Sequence, residues 1–158
     1  MTTFVSASVA DTAAVARRVA ALLLAGDVVL LDGPLGAGKT TFAREVAVGL
    51  GVTAAVTSPT YTLVHEYEAS RGLAVAHADL YRLETVAEID DIGLEEFTGG
   101  RHVLLVEWGA AAAAAFGPER LEVVMAYGPP ESPGQRTIEL RAVGPGWGSR
   151  LAGVEGGR

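Results

Sequence analysis

The only lysine in this chain of 158 residues is Lys39, within Gly33-Pro34-Leu35-Gly36-Ala37-Gly38-Lys39-Thr40. The segment meets every fixed position of the pattern G-x-x-x-x-G-K-[ST], whose chemistry is the capture of a polyphosphate. Glycines let the backbone take positive φ and approach an anion closely. The loop's N–H groups and the positive end of the following helix then converge on that anion. Lys39 adds a compact positive charge for the outer phosphates. Thr40 adds a hydroxyl, a hard oxygen ligand of the kind magnesium takes. Thr41 reads either as a second hydroxyl on a phosphate or as a solvated residue of the first helical turn.

Two carboxylates stand where partners for this loop are expected. Val103-Leu104-Leu105-Val106 is an apolar strand that ends in Glu107, and Leu73-Ala74-Val75-Ala76-His77-Ala78 is one that ends in Asp79. In sheets that bind nucleotides, ligands sit at the carboxyl ends of the strands. An acid there can hold Mg²⁺, directly or through water, or orient an attacking water. Trp108 reads as core, or as a neighbour of the nucleotide or of a partner. His77 has no partner at metal-ligand spacing and reads as structural. Asp90-Asp91-Ile92-Gly93 matches the D-x-x-G of GTPases, but the guanine-reading N-K-x-D is missing from the sequence.

These residues need elements to carry them. Val28-Val29-Leu30-Leu31 reads as a buried strand before the loop, and Lys39 to Val48 as a helix after it. A further helix is expected over residues 12–25, capped by Asp11 or Thr12 and stopped by Gly26. A short strand is expected at 52–56, a hairpin at 60–78, a short helix from the Thr85–Glu88 capping box, and a helix over the six alanines 110–115. Two strands, 121–127 and 136–143, flank a turn rich in proline and glycine. The expected fold is α/β, a P-loop NTPase with a mainly parallel sheet flanked by helices and added antiparallel strands. One domain over 1–143 is expected, followed by a loose tail over 144–158.

Composition narrows the setting. Hydrophobic residues make up 49 % of the chain, enough for a packed core. No apolar run approaches the roughly 20 residues of a membrane span. The N-terminus lacks the features of a signal peptide, and cysteine is absent, so neither a disulfide nor thiolate chemistry arises. A cytoplasmic location without membrane attachment is expected. The net charge is −7, and between Glu84 and Glu131 ten acids face two arginines. Tight direct binding of nucleic acid needs a basic footprint. The acidic stretch reads as a solvated helix face or as a docking surface for a basic partner.

Several motifs follow the loop in order: Ser58-Pro59-Thr60-Tyr61-Thr62-Leu63-Val64, His77-Ala78-Asp79-Leu80-Tyr81-Arg82-Leu83 and Val106-Glu107-Trp108. With Gly36-Ala37-Gly38-Lys39-Thr40-Thr41 they closely resemble the TsaE (YjeE) family, the small ATPases of bacterial tRNA threonylcarbamoyladenosine synthesis, over roughly residues 10–127. The resemblance implies ATP and Mg²⁺ as ligands. Its phosphate loop maps onto Gly33, Gly36, Ala37, Gly38, Lys39, Thr40 and Thr41. Its switch-like segment brings Thr60 toward the γ-phosphate or the metal. Thr40 and Glu107 become the metal ligands, and Lys39, Asp79 and Glu107 the catalytic set. It also implies TsaB and TsaD as partners, with tRNA held mainly by them. The alanine-rich stretch Ala110–Ala115 departs from the family's usual look.

Slow hydrolysis by the isolated chain is expected, because the chain offers no obvious arginine finger of its own; Arg82 is the leading candidate. Two other function classes fit a phosphate loop. A small-molecule kinase needs an arginine-rich lid, and the arginines here are scattered. A nucleotide-gated binding module would hydrolyse only incidentally.

Overall fold

The computed structural model of the protein describes residues 1–59, 63–81, 83 and 85–155. Its centre is a seven-stranded sheet in the order β1-β7-β6-β2-β5-β4-β3. The strands are β1 (Thr2–Ser6), β2 (Val28–Asp32), β3 (Val64–Glu68), β4 (Ala74–Asp79), β5 (His102–Glu107), β6 (Arg120–Tyr127) and β7 (Arg136–Val143). β2 runs parallel to β5 and β6, and β4 runs parallel to β5. β3 joins β4, and β7 joins β6 and β1, by antiparallel pairing. Three of the six pairings are parallel and three antiparallel; the parallel core and its two antiparallel hairpins are those expected from the sequence, and β1 adds a further antiparallel edge.

The parallel strands are apolar on both sides because both faces are covered. Val29, Leu31, Val103 and Leu105 pack with helices α1 (Val9–Ala20) and α2 (Lys39–Gly49). Val28, Leu30, Leu104 and Val106 point the other way, toward α3 (Val86–Asp90), Leu94, Ala112 and Phe116. Alternation along a strand therefore decides which strand-end acids can meet the phosphate loop. Glu107 follows Val103 and Leu105 with period two, onto the α2 face, and Asp79 follows Val75 onto the same face.

The expected elements are corrected at several points. Helix α1 begins earlier than expected: Ser8 is its cap, its hydroxyl accepts from the Asp11 N–H, and the Asp11 carboxylate accepts in turn from the Ala7 N–H. The helix also ends at Ala20, before the Leu22–Ala25 stretch. Residues 52–56 form no strand; Val52 and Val56 are buried as irregular chain. The alanine run is helical as expected, in the tighter 3-10 form over Gly109–Ala115.

The tail is not loose through residue 155: Pro145–Glu155 form helix α4. Trp147 is fully buried, and the Arg150 guanidinium lies 3.9 Å from its ring centroid. Arg150 also donates to both carboxylate oxygens of Asp27, at 2.6 and 2.8 Å. One large aromatic and one bidentate ion pair thus hold a glycine-rich segment on the core. Among the described residues, no helix is long and apolar enough to cross a membrane.

Candidate active site

The loop between β2 and α2 is built on glycines that only glycine can occupy cheaply. Gly33, Gly36 and Gly38 have φ of +135°, +76° and +107°. A Cβ on Gly33 would lie 2.1 Å from the carbonyl oxygen of Met125, so β6 passes directly against the loop. Helix α2 starts at Lys39 with no side-chain cap and no acid in its first turn. Its positive end is left for an anion from outside.

Lys39 is only 5 % exposed. Its ammonium donates to the carbonyls of Gly33 at 2.7 Å and Pro34 at 2.9 Å, and lies 3.7 Å from the centroid of the Trp108 ring. Burial pulls the amine below the usual lysine range, and Glu107, Asp32 and Asp79 oppose that shift. The lysine is thus held by weak acceptors and an aromatic face, which phosphate oxygens can replace.

The carboxylates arrive from the neighbouring strands. β4 and β5 pair in parallel with Asp79 opposite Glu107. Glu107 is 3 % exposed. Its Oε2 accepts from the Thr40 hydroxyl at 2.9 Å, and its Oε1 lies 2.8 Å from His77 Nε2. Asp79 accepts from the Ser58 hydroxyl at 2.8 Å and from the Tyr81 N–H at 3.0 Å. Trp108 holds a left-handed backbone at φ +61°, its N–H donating to Leu31. That unusual conformation turns the ring back over Lys39, where Tyr81 packs on it at 5.0 Å.

Lys39, Thr40, Thr41, Ser58, Asp79 and Glu107 line one cavity of about 360 Å³ beside Gly36 and Gly38. A second cavity, of about 380 Å³, opens on the other side of the loop, between it, Ser8, Thr12 and Arg136. The two share Gly36, Gly38 and Thr41.

Gly36, Gly38, Lys39, Thr40, Thr41, Asp79 and Glu107 meet at the first cavity. Gly33 contributes its carbonyl to Lys39, and Ala37 is buried and lines the second cavity. Thr60 and Arg82 lie outside the described residues. The reading of His77 as merely structural is incomplete, because its imidazole touches Glu107. Only the strand register reveals this: His77 and Asp79 share a face, and Asp79 is opposite Glu107. The D-x-x-G match falls at α3 and its following turn, whose Asp90 lines a different depression.

The donor set suits magnesium. The cavity offers hydroxyl and carboxylate oxygens without sulfur, the hard ligands that Mg²⁺ takes. Among the described residues, no cluster of three His, Cys, Asp or Glu could hold a metal unaided.

Comparison with known proteins gives a consistent result. The family model "Threonylcarbamoyl adenosine biosynthesis protein TsaE" matches residues 6–138. The chain is 42% identical over 134 residues to the tRNA threonylcarbamoyladenosine biosynthesis protein TsaE of Bacillus subtilis, covering 85% of this chain and 81% of that protein. It is 43% identical over 110 residues to the protein of that name from Treponema pallidum, covering 70% and 80% of the two chains. The crystal structure of Bacillus subtilis YdiB superposes with a TM-score of 0.81 at 32% identity, covering 98% of this chain and 93% of the other.

Proposed function

The chain belongs to the TsaE family, and on that footing we propose that it is the magnesium-dependent ATPase subunit of tRNA threonylcarbamoyladenosine synthesis, acting with TsaB and TsaD. One observation carries this reading. The ammonium of Lys39, the hydroxyl of Thr40 and the carboxylates of Asp79 and Glu107 converge on one cavity at the carboxyl ends of parallel strands.

Hydrolysis of a phosphoanhydride asks a protein for position and charge rather than covalent chemistry. The loop's N–H groups and the start of α2 bind the phosphates. Lys39 exchanges the carbonyls of Gly33 and Pro34 for phosphate oxygens and stabilises the charge that develops on them. Thr40 and Glu107 would hold magnesium, whose charge would offset that of the outer phosphates. Asp79, presented beside Glu107 and tethered by Ser58, orients the attacking water. The second cavity takes the nucleoside, because it borders the same loop residues, Gly36, Gly38 and Thr41, as the phosphate cavity. Ser8, Thr12 and Arg136 offer it polar contacts there.

No arginine among the described residues lines the phosphate cavity. In phosphoryl transfer an arginine supplied from outside is worth roughly 10³–10⁵ in rate. The isolated chain is therefore slow, and its partners accelerate it. The arginines are scattered along the chain rather than clustered, which argues against the small-molecule kinase reading. Phosphate release measured for the chain alone and with TsaB and TsaD tests the proposal. Slow turnover alone and a large increase with partners is expected. Fast turnover alone that partners do not change contradicts it.

A further inference from the structure

His77 is fully buried, in the middle of β4. Its Nε2 lies 2.8 Å from Glu107 Oε1, while its Nδ1 is buried without a hydrogen-bond partner. An unmet buried polar atom costs on the order of 1–3 kcal/mol. An aliphatic residue would avoid that cost at this position, which is flanked on the same face by Val75 and faces Leu105 across the ladder. Packing therefore does not account for an imidazole here, and its one satisfied atom points at the carboxylate that also holds Thr40.

The two contacts divide the carboxylate. An ionised carboxylate only accepts, so the proton between the groups belongs to Nε2. With Oε1 held by His77 on one side, Oε2 is turned toward Thr40. Without the imidazole, rotation about the terminal bond of Glu107 is restrained from the Thr40 side alone.

We propose that His77 is a positioning residue, whose Nε2–H fixes the rotation of the Glu107 carboxylate so that Oε2 faces Thr40 and the magnesium ion held there. This rests on the nucleotide reading of the cavity given above. Groups that orient a metal ligand from behind are worth roughly 10–100-fold in metal affinity.

The test combines two variants with a measurement on the unaltered protein. His77→Leu keeps side-chain bulk and removes the donor. His77→Gln restores an N–H donor near the position of Nε2. Calorimetric titration with ATP, with and without Mg²⁺, should show His77→Leu binding ATP alone like the unaltered chain but losing roughly 10–100-fold of the gain that Mg²⁺ brings. His77→Gln should recover most of that gain. Nitrogen-15 NMR of the nucleotide-free, unaltered chain should show the His77 proton on Nε2, a readout that survives even if a variant does not fold. A proton found only on Nδ1 overturns the inference. So does a folded His77→Leu with unchanged Mg²⁺ dependence, or a folded His77→Gln as impaired as His77→Leu. If the unaltered chain gives no heat with ATP and Mg²⁺, the nucleotide reading itself falls and takes this inference with it. The other negative outcomes remove the role of His77 alone.

Discussion

Thr40 and Glu107 are 67 residues apart in the chain, yet the threonine hydroxyl donates to the glutamate at 2.9 Å. The contact joins the first turn of α2 to the end of β5, and the strand alternation explains it. Glu107 follows Val103 and Leu105 onto the face that α2 covers. The two groups proposed to share magnesium are therefore preorganised before any ligand arrives.

Replacing Glu107 by glutamine keeps the shape and most of the hydrogen-bonding capacity while removing the charge. Binding of ATP alone should persist, the gain that Mg²⁺ brings should fall by at least the roughly 10–100-fold expected for the residue that positions this carboxylate, and hydrolysis should fall by more than tenfold with it. Phosphate release compared with calorimetric affinity checks this. Turnover within tenfold of the unaltered chain would take Glu107 out of the reaction.

Thr40→Ser should retain Mg²⁺-dependent binding, because the hydroxyl remains. Thr40→Ala should bind ATP without metal about as well as before, yet gain little when Mg²⁺ is added. The pair separates the hydroxyl from the methyl group. Equal Mg²⁺ dependence in both variants would remove the hydroxyl from the metal site.

The loop glycines make a stability prediction. A Cβ at Gly33 meets the Met125 carbonyl oxygen at 2.1 Å, and its φ of +135° adds strain. Gly33→Ala should cost about 3 kcal/mol. At Gly117 an added Cβ meets nothing within 4 Å, so Gly117→Ala should stay within about 0.5 kcal/mol of the unaltered chain. Denaturant midpoints for the two variants give the comparison.

Helix α4 should contribute to the stability of the core. Trp147 is fully buried among residues of the α1 and α2 face. Trp147→Ala should lose about 3–5 kcal/mol. A thermal melt unchanged by this substitution would mean that α4 is not docked in solution.

The phosphate loop and the strand-end acids were legible because their signals are local. A glycine pattern lies between an apolar strand and a helix, and each acid directly follows an apolar run. What escaped depends on distant partners. β1 is an edge strand whose five residues pair only with β7, at least 130 positions along the chain. Helix α4 reads as loose from its glycines, and only the burial of Trp147 and the reach of Arg150 to Asp27 explain its order. The Leu22–Ala25 stretch looks helical, but the Gly26 N–H bonds to the His102 carbonyl and the Leu24 N–H to the Asp27 carboxylate, which turn the chain into β2. His77 carries no motif-level sign of its contact with Glu107, because that contact arises from register and face.

The most direct measurement is calorimetric titration of the chain with ATP in the presence of Mg²⁺, repeated with Lys39→Ala. One nucleotide per chain, with the heat lost in the variant, is the expected result. No heat from the unaltered chain, or the same affinity without the Lys39 ammonium, would contradict the proposed phosphate site.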